Sequence, residues 1–174
     1  MKTIEPKDFI VRINDLWKNK WFLLTSGDFE KGHFNTMTVA WGYFGIMWNK
    51  PMAMVVVRPV RYTFNFMNNY DSFTLSAFGR KHKRDLVLLG TRSGRNGNKL
   101  QETGLTACRA EKIDAPAFEE AELVVECRKV YWDDFKPDQF VDYTIEKNYP
   151  QKDYHRMFFG EIMHINGIGS YCAE

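Results

Sequence analysis

The sequence predicts a mostly β protein: an antiparallel β-barrel with a few peripheral helices. One segment alternates between bulky and small residues with period two, a second is apolar on both faces, and short strand candidates are interspersed with only a few helical ones. The chain has 174 residues and no internal repeat or linker. We therefore expect a single domain over residues 1–174, large enough to bury a sizeable core.

The N-terminal part is expected to hold short helical turns and a first strand. Apolar residues at helical spacing predict one or two helical turns between Glu5 and about Lys18. The apolar run Trp21–Thr25 predicts the first strand, and a polar loop follows it from Gly27 to Gly32.

The stretch from Asn35 to Thr63 organises the rest of the chain. Its first segment, Asn35–Gly42, is predicted to be a strand whose two faces differ in bulk. One face carries Met37, Val39, Trp41 and Tyr43, and the other carries Thr36, Thr38, Ala40 and Gly42. We expect the bulky face to be buried in a core, whereas the small face leaves room for a flat molecule close to the backbone.

A second strand and a short helix complete this stretch. After a turn at residues 49–51, Met52–Val57 is apolar on both faces, as in a central strand that is covered on both sides. Pro59 ends the strand because it has no N–H to donate to a neighbouring strand. Thr63 is the expected N-cap of a helix that extends to about Asn68.

Arg61 stands immediately before this helix, beside backbone N–H groups that have no helical partner. A guanidinium and free N–H groups together favour an anion, most simply a phosphate. An equally good interpretation is an ordinary capped helix whose arginines are merely solvated.

The second half of the chain is predicted to contain three more strands and one helix. The expected strands are Ser72–Phe78, Leu123–Trp132 and Arg156–Ile165, and the expected helix is Lys81–Leu89. A loop rich in Gly, Ser, Arg and Asn fills residues 90–99, and a polar connection fills residues 133–152.

Composition and motifs argue against several classes of protein. Hydrophobic residues make up 44% of the chain and aromatic residues 16%, which indicates a folded protein with aromatic surface to spare for a ligand or an interface. There is no P-loop and no Gly-x-Gly-x-x-Gly after a strand, so no Rossmann domain is expected. The three cysteines and four histidines lack metal-ligand spacing, and we expect no metal site. Because no signal peptide or run of about 18 apolar residues is visible, a cytoplasmic protein without membrane association is expected.

Positive charge is concentrated in the middle of the chain. Residues 58–99 contain nine Lys or Arg and two acidic residues, whereas the whole chain has a net charge of only +2. A basic segment in a nearly neutral protein favours a local anionic ligand over a long polyanion. Nucleic acid is therefore not an expected partner, although aromatic and basic surface together also occur in proteins that bind single strands.

Several motifs, taken in order, resemble the flavin reductase-like family. They are Asn35-Thr-Met-Thr-Val-Ala-Trp-Gly42, Arg58-Pro-Val-Arg-Tyr-Thr-Phe64, Gly90-Thr-Arg-Ser-Gly-Arg95, Lys99 with Glu102-Thr-Gly-Leu-Thr106, and His155 with Gly160-Glu-Ile162. Each motif is weak alone, but the ordered set is specific and extends over roughly residues 21–165. The resemblance implies a flavoredoxin-like, FMN-binding split barrel with antiparallel Greek-key strands.

The resemblance also implies where FMN and its reaction partners are held. The expected cofactor-binding residues are Thr36, Met37, Thr38, Ala40, Trp41, Arg58, Arg61, Tyr62, Thr63, Phe78, Ser93 and Lys99. His155 is the expected catalytic residue, close to the flavin and to the nicotinamide. The residues alone favour a structural hydrogen-bonding role for His155 and a structural ion pair for Glu161. They also leave open that the 90–99 loop is a flexible surface turn.

Three functions are therefore open. The first is an FMN-containing oxidoreductase that takes electrons from NADH or NADPH and passes them to free flavin or another acceptor. The second is an electron carrier that a redox partner protein reduces, and the third is an FMN-binding module without turnover. In each case the resemblance implies a homodimer with the flavin at or near the subunit interface.

Overall fold

The computed structural model describes residues 1–173 and consists mainly of one antiparallel sheet. The strands are β1 (Lys2–Thr3), β2 (Phe22–Asp28), β3 (His33–Val39), β4 (Gly42–Met47), β5 (Lys50–Val57), β6 (Ser72–Phe78), β7 (Ala107–Cys108), β8 (Ala117–Phe118), β9 (Ala121–Asp134) and β10 (Arg156–Gly167). The α-helices are α1 (Ile13–Asp15), α2 (Tyr62–Asn69) and α3 (Lys83–Thr91). Shorter turns are a π-helical turn at Leu16–Lys20 and 3-10 turns at Pro6–Asp8, Arg80–His82, Gly94–Asn96, Lys99–Glu102, Pro137–Gln139, Tyr143–Asn148 and Gly169–Tyr171.

The sheet curls into an open barrel. Its strands are ordered β3-β2-β6-β9-β10-β5-β4, β1 pairs with β10, and β7 and β8 form a separate pair. Strands β3 and β4 are consecutive in the chain yet lie at opposite ends of this order, so the sheet must bend until its two edges approach each other. This mostly β, antiparallel architecture confirms the predicted fold class.

Strand β5 is covered on both faces, as predicted. Ala53, Val55 and Val57 belong to the main core inside the barrel, together with phenylalanines of β2, β6 and β10. Residues of alternating register on β5 pack with Phe159 in a small cluster on the outer side of the sheet. A third cluster fills the space between the sheet and α3, whose Leu86 and Leu89 are buried as expected.

The strand predicted over Asn35–Gly42 ends earlier, at Val39. Met37 and Val39 are buried as expected, but Trp41 and Tyr43 are 48% and 49% exposed. Gly42 already belongs to β4, where a Cβ would lie 2.3 Å from the Met54 carbonyl oxygen and 2.5 Å from the Trp17 ring. The chain passes from β3 to β4 between Val39 and Gly42, so the predicted alternation does not continue to Gly42. This part of the prediction was wrong.

Two local predictions also need correction. The hairpin between β4 and β5 turns at Trp48 and Asn49, which have φ values of 53° and 57°, one residue earlier than predicted. Helix α2 begins at Tyr62, so Thr63 lies inside its first turn and is not the N-cap. The Thr63 hydroxyl instead accepts a hydrogen bond from the Asn35 side-chain amide at 2.7 Å.

Within residues 1–173, no helix is long and apolar enough to cross a membrane. In the same part of the chain, no group of three or more His, Cys, Asp and Glu side chains is arranged to hold a metal ion.

Candidate functional site

Two adjoining cavities lie where β3, the start of α2 and the end of α3 meet. The cationic cavity has a volume of about 120 Å³ and lies between the first turn of α2 and the loop that follows α3. The open cavity, of about 330 Å³, lies along the end of β3 and reaches His155. Met37 and Arg61 line both cavities, so the two form one continuous cleft.

Most of the predicted site residues lie in this cleft. Those that line at least one cavity are Met37, Thr38, Ala40, Trp41, Arg58, Arg61, Tyr62, Thr63, Ser93, Lys99 and His155. Thr36 and Phe78 line neither cavity. The Thr36 hydroxyl faces Thr25 and donates to the Leu24 carbonyl, and Phe78 packs in the core beside α3.

The cationic cavity is built from the start of α2. An α-helix leaves its first N–H groups without helical partners, and no side chain caps α2. Asn35 holds the first turn in place through its bond to Thr63, and Arg61 donates to the carbonyl of Gly90 at 3.2 Å. Arg95 donates to the Val60 carbonyl at 3.0 Å and lies over the Tyr62 ring. These contacts join the loop after α3 to the start of α2.

Gly94 allows the loop to approach this closely. A Cβ at Gly94 would lie 2.2 Å from Oδ1 of Asn35 and 3.0 Å from the Tyr62 ring. The first distance is a clash and the second is tight, so a larger residue must displace the Asn35 side chain or the loop. The Ser93 hydroxyl accepts from the backbone N–H of Arg95 at 3.3 Å and so caps the short turn that follows it.

Lys99 holds the loop that follows α3 through hydrogen bonds to its backbone. Its side chain is buried, and its ammonium donates to the carbonyls of Leu89 at 2.7 Å and Arg92 at 3.1 Å. Burial, with a further contribution from the charge of Arg61, lowers the pKa of Lys99 to about 8. The ammonium therefore supports the wall of the cavity while adding positive charge to it.

The open cavity is walled by consecutive residues at the end of β3. Residues 37–41 line it, with Val56 and Arg58 of the neighbouring segment opposite. The Thr38 hydroxyl donates to the Leu86 carbonyl at 2.5 Å, which ties β3 to α3. Ala40 adds no bulk, and Trp41 stands half exposed at one end. The small side chains of Thr38 and Ala40 thus line an open cavity that Trp41 adjoins.

His155 lines the open cavity beside Trp41. Its Nδ1 shares a 2.9 Å hydrogen bond with the buried hydroxyl of Tyr149, and its ring packs against Trp41 with 5.0 Å between ring centroids. Burial, followed by the charge of Arg58, lowers the pKa of His155 to about 4, although Asp153 acts in the opposite direction. The imidazole is therefore neutral near pH 7.

Arg58 fixes the segment that carries Tyr149. Its guanidinium pairs with Asp153 at 3.1 Å, donates to the Asn148 carbonyl at 2.6 Å and lies over the Tyr149 ring. Sequence reasoning did not single out Tyr149. No pattern in residues 133–152 indicates it, because its role depends on the folding of this segment back onto β5.

Glu161 lies outside the cleft. Its carboxylate pairs with Lys50 at 2.9 Å and with Arg128 at 2.7 Å, which confirms the predicted structural ion pair.

Comparisons with known proteins concern the family and the fold of this chain. The flavin reductase like domain model matches residues 18–170. An uncharacterized protein of Archaeoglobus fulgidus is 26% identical over 150 residues, which cover 86% of this chain and 73% of that protein.

Two solved structures are similar in fold. Flavoredoxin of Desulfovibrio vulgaris (Miyazaki F) has a TM-score of 0.67 at 23% identity, over 92% of this chain and 73% of its own. A structure with a split barrel domain from Shewanella frigidimarina has a TM-score of 0.67 at 17% identity. The match covers 86% of this chain and 67% of that chain. The fold is thus the split barrel. Because the family match extends over nearly the whole chain, this protein belongs to the flavin reductase-like family.

Proposed function

We propose that this protein binds FMN along the cleft and acts as an oxidoreductase that takes electrons from NADH or NADPH and passes them to free flavin or another acceptor. One observation carries the proposal: Arg61 lines both the cationic and the open cavity. A ligand with a phosphate at one end and a flat ring at the other can therefore extend past this guanidinium. Membership of the flavin reductase-like family supports the same ligand.

The cationic cavity fits a phosphate. Arg61, Arg95 and Lys99 line it, as does the uncapped first turn of α2. Helix N-termini and guanidinium groups are the usual partners of phosphate oxygens. None of the carboxylates within residues 1–173 lines this cavity, so no described side chain in its wall repels an anion.

The open cavity fits a flat ring. Its wall from Met37 to Trp41 offers backbone groups and the small side chains of Thr38 and Ala40, with Val56 opposite. FMN, when bound, supplies hydride and single-electron chemistry of its own, so the protein has to supply position, electrostatics and access.

His155 is proposed to act as a neutral, positioned hydrogen-bonding group. With a pKa of about 4, only about one imidazole in a thousand carries a charge at pH 7. The Tyr149 hydroxyl occupies Nδ1, which leaves Nε2 for a ligand in the open cavity. Orientation of a bound group is therefore a better account of His155 than the supply of a proton.

Anaerobic reduction tests the oxidoreductase activity. Purified protein loaded with FMN is mixed with NADH or with NADPH, and the flavin absorbance is followed in a stopped-flow instrument. We expect bleaching with at least one donor, and steady donor oxidation when free flavin is added. If the flavin stays oxidised with both donors, the reductase proposal fails.

A second candidate is a flavoredoxin-like electron carrier that a protein partner reduces. The half-exposed Trp41 at the end of the open cavity favours it, because an exposed aromatic residue beside a redox centre suits a protein contact. Reduction by a low-potential partner protein, without reduction by NADH or NADPH, would select this candidate. Reduction by neither would leave an FMN-binding module without turnover.

We also propose a homodimer formed through the outer face of the β4–β5 hairpin. Large apolar side chains are exposed there, namely Tyr43, Ile46, Met47, Trp48 and Tyr131. Trp41 lines the open cavity and directly precedes β4, which carries part of this face. The flavin would therefore lie near the interface. Covering the edge strand β4 and this apolar surface favours a second copy.

Light scattering tests the dimer. The expected mass is twice the 20.5 kDa of one chain at micromolar concentration, and Ile46→Glu with Trp48→Glu should reduce it to one chain. A monomer mass for the unmodified protein would refute the proposal.

A further inference from the structure

A third cavity lies on the other side of α3 and is larger than the cleft. This N-terminal cavity, of about 920 Å³, is enclosed by residues 10–20, the start of α3 and the C-terminal turn at Ser170 and Tyr171. None of the residues that line it lines the cationic or the open cavity. Its volume is in the range of ligand sites, roughly 300–1,000 Å³.

Part of the wall of the N-terminal cavity is apolar and rigid. Leu16, Phe78, Leu86 and Tyr171 line it, and each is at most 5% exposed. These side chains belong to two packed cores, so the wall is formed by the fold itself and not by mobile surface residues. Phe78, which was expected at the flavin, is part of this wall.

The rest of the wall carries positive charge without partners. Arg12, Lys20, Arg80 and Lys83 line the cavity, and within residues 1–173 none of them forms an ion pair with a carboxylate. Among the described residues, two carboxylates, Asp15 and Glu122, line the cavity against these four cations. Cations that line one concave surface raise its positive potential, which favours an anion.

Two contacts hold Lys83 beside the cavity. It lies over the Trp21 ring and donates to the Asn19 carbonyl at 2.5 Å. Burial lowers its pKa, because its charge has lost water without gaining a carboxylate. An anion in the cavity would compensate for that loss.

We propose that the N-terminal cavity is a second ligand site, which takes an organic anion with an apolar body and one carboxylate, sulfonate or phosphate group. The apolar body packs against Ile10 and Val11, which are accessible, over the buried floor of the cavity, and the anionic group lies among the basic side chains at the rim. This proposal does not depend on the flavin site.

Calorimetric titration with 8-anilinonaphthalene-1-sulfonate tests the proposal, with FMN present to occupy the cleft. We expect one binding event that is at least tenfold weaker in the double variant Arg80→Glu, Lys83→Glu. Lys81→Glu is the matched control: Lys81 is exposed on the same turn but does not line the cavity, and binding there should be unchanged. The neutral probe N-phenyl-1-naphthylamine should bind all these variants alike.

A space-filling variant tests the location separately from charge. Ser170 is exposed and lines the cavity, so Ser170→Trp should fill it and remove binding of the sulfonate while all charges are retained. If Ser170→Trp binds the sulfonate as the unmodified protein does, or if Lys81→Glu weakens binding as much as the double variant, the proposal is overturned. Binding that persists in every variant would place the probe on the exposed β4–β5 face instead.

Discussion

The two halves of the cleft are built in different ways. The cationic cavity is formed mainly by residues 58–99, which carry the charge excess visible in the sequence, and hydrogen bonds join its loop and helix. The open cavity combines the end of β3, β5 and a histidine that is more than a hundred positions later in the chain. Its key side chain is neutral and is positioned by one tyrosine hydroxyl.

This difference suggests a division of labour. Fixed charges and a locked loop suit an anchor, because they bind one end of a ligand with specificity. An open cavity with one oriented imidazole suits the reacting end, because a second reactant needs access to it. Changes in the cationic cavity should therefore alter affinity, and changes in the open cavity should alter the rate of reduction.

The largest expected effect on affinity is that of Arg61→Ala. A charge-assisted hydrogen bond contributes about 1.5–3 kcal/mol, so the FMN dissociation constant should rise roughly 10- to 100-fold. Arg84→Ala is the matched control, since Arg84 is exposed on α3 and lines neither cavity. Fluorescence titration measures both variants. An unchanged dissociation constant in Arg61→Ala would remove this residue from the site.

His155→Ala should show the opposite pattern. We expect reduction of bound FMN to slow by roughly 10- to 100-fold, as for a positioned acid–base or hydrogen-bonding group, with little change in FMN affinity. Because the pKa of His155 is about 4, the rate for the unmodified protein should not change between pH 6 and 8 through this group.

Tyr149→Phe refines this test and should slow reduction by only a few fold. Tyr154→Phe is its control, because the Tyr154 hydroxyl bonds to Glu146 and not to His155. The rate of FMN reduction is measured by stopped flow for His155→Ala, Tyr149→Phe and Tyr154→Phe. A wild-type rate in His155→Ala would leave this histidine with a structural role only.

Gly94→Ala tests whether the loop has to lie so close to α2. Its new methyl group would overlap Asn35 Oδ1 at 2.2 Å, and relieving such overpacking typically costs about 1–3 kcal/mol, so FMN affinity should fall about fivefold or more. Gly104→Ala is the control, because no atom lies within 4 Å of a Cβ there. Equal FMN affinities in the two variants would show that the loop position is irrelevant to binding.

The smallest effect is expected from pH. The pKa of Lys99 is lowered to about 8, so its ammonium is charged below that pH and loses its charge as the pH rises through 8. The second ionisation of a phosphate, with a pKa of about 6, is complete in this range. FMN affinity should therefore fall about two- to threefold between pH 7 and 9, a modest effect for one partly screened charge. Affinity that rises or stays flat over this interval would separate Lys99 from the phosphate.

Much of the fold followed from local pattern. Strand β6 has the predicted bounds, and β9, β10 and α3 differ from prediction by a few residues at their ends, because alternation and helical spacing report which residues face a core. The break between β3 and β4 could not be predicted from local pattern. It depends on the approach of Gly42 to Trp17 and Met54, which is a contact between distant segments.

The same distinction holds for the site. The cationic cavity could be anticipated because its charge and turn residues are close in sequence. Tyr149 could not, because only the return of residues 148–155 onto Arg58 brings it to His155. Phe78 lies away from the cleft. Strand period tells which residues share a face, but not which ligand or core covers that face.

The most direct test of the two-part cleft is the comparison of FMN with riboflavin, which has the same ring but no phosphate. The dissociation constants of both are measured by fluorescence quenching on the unmodified protein and on Arg61→Ala. We expect the unmodified protein to prefer FMN by roughly 10- to 100-fold, and the preference to be nearly lost in Arg61→Ala. Equal affinity of the unmodified protein for FMN and riboflavin would contradict the assignment of the cationic cavity to the phosphate.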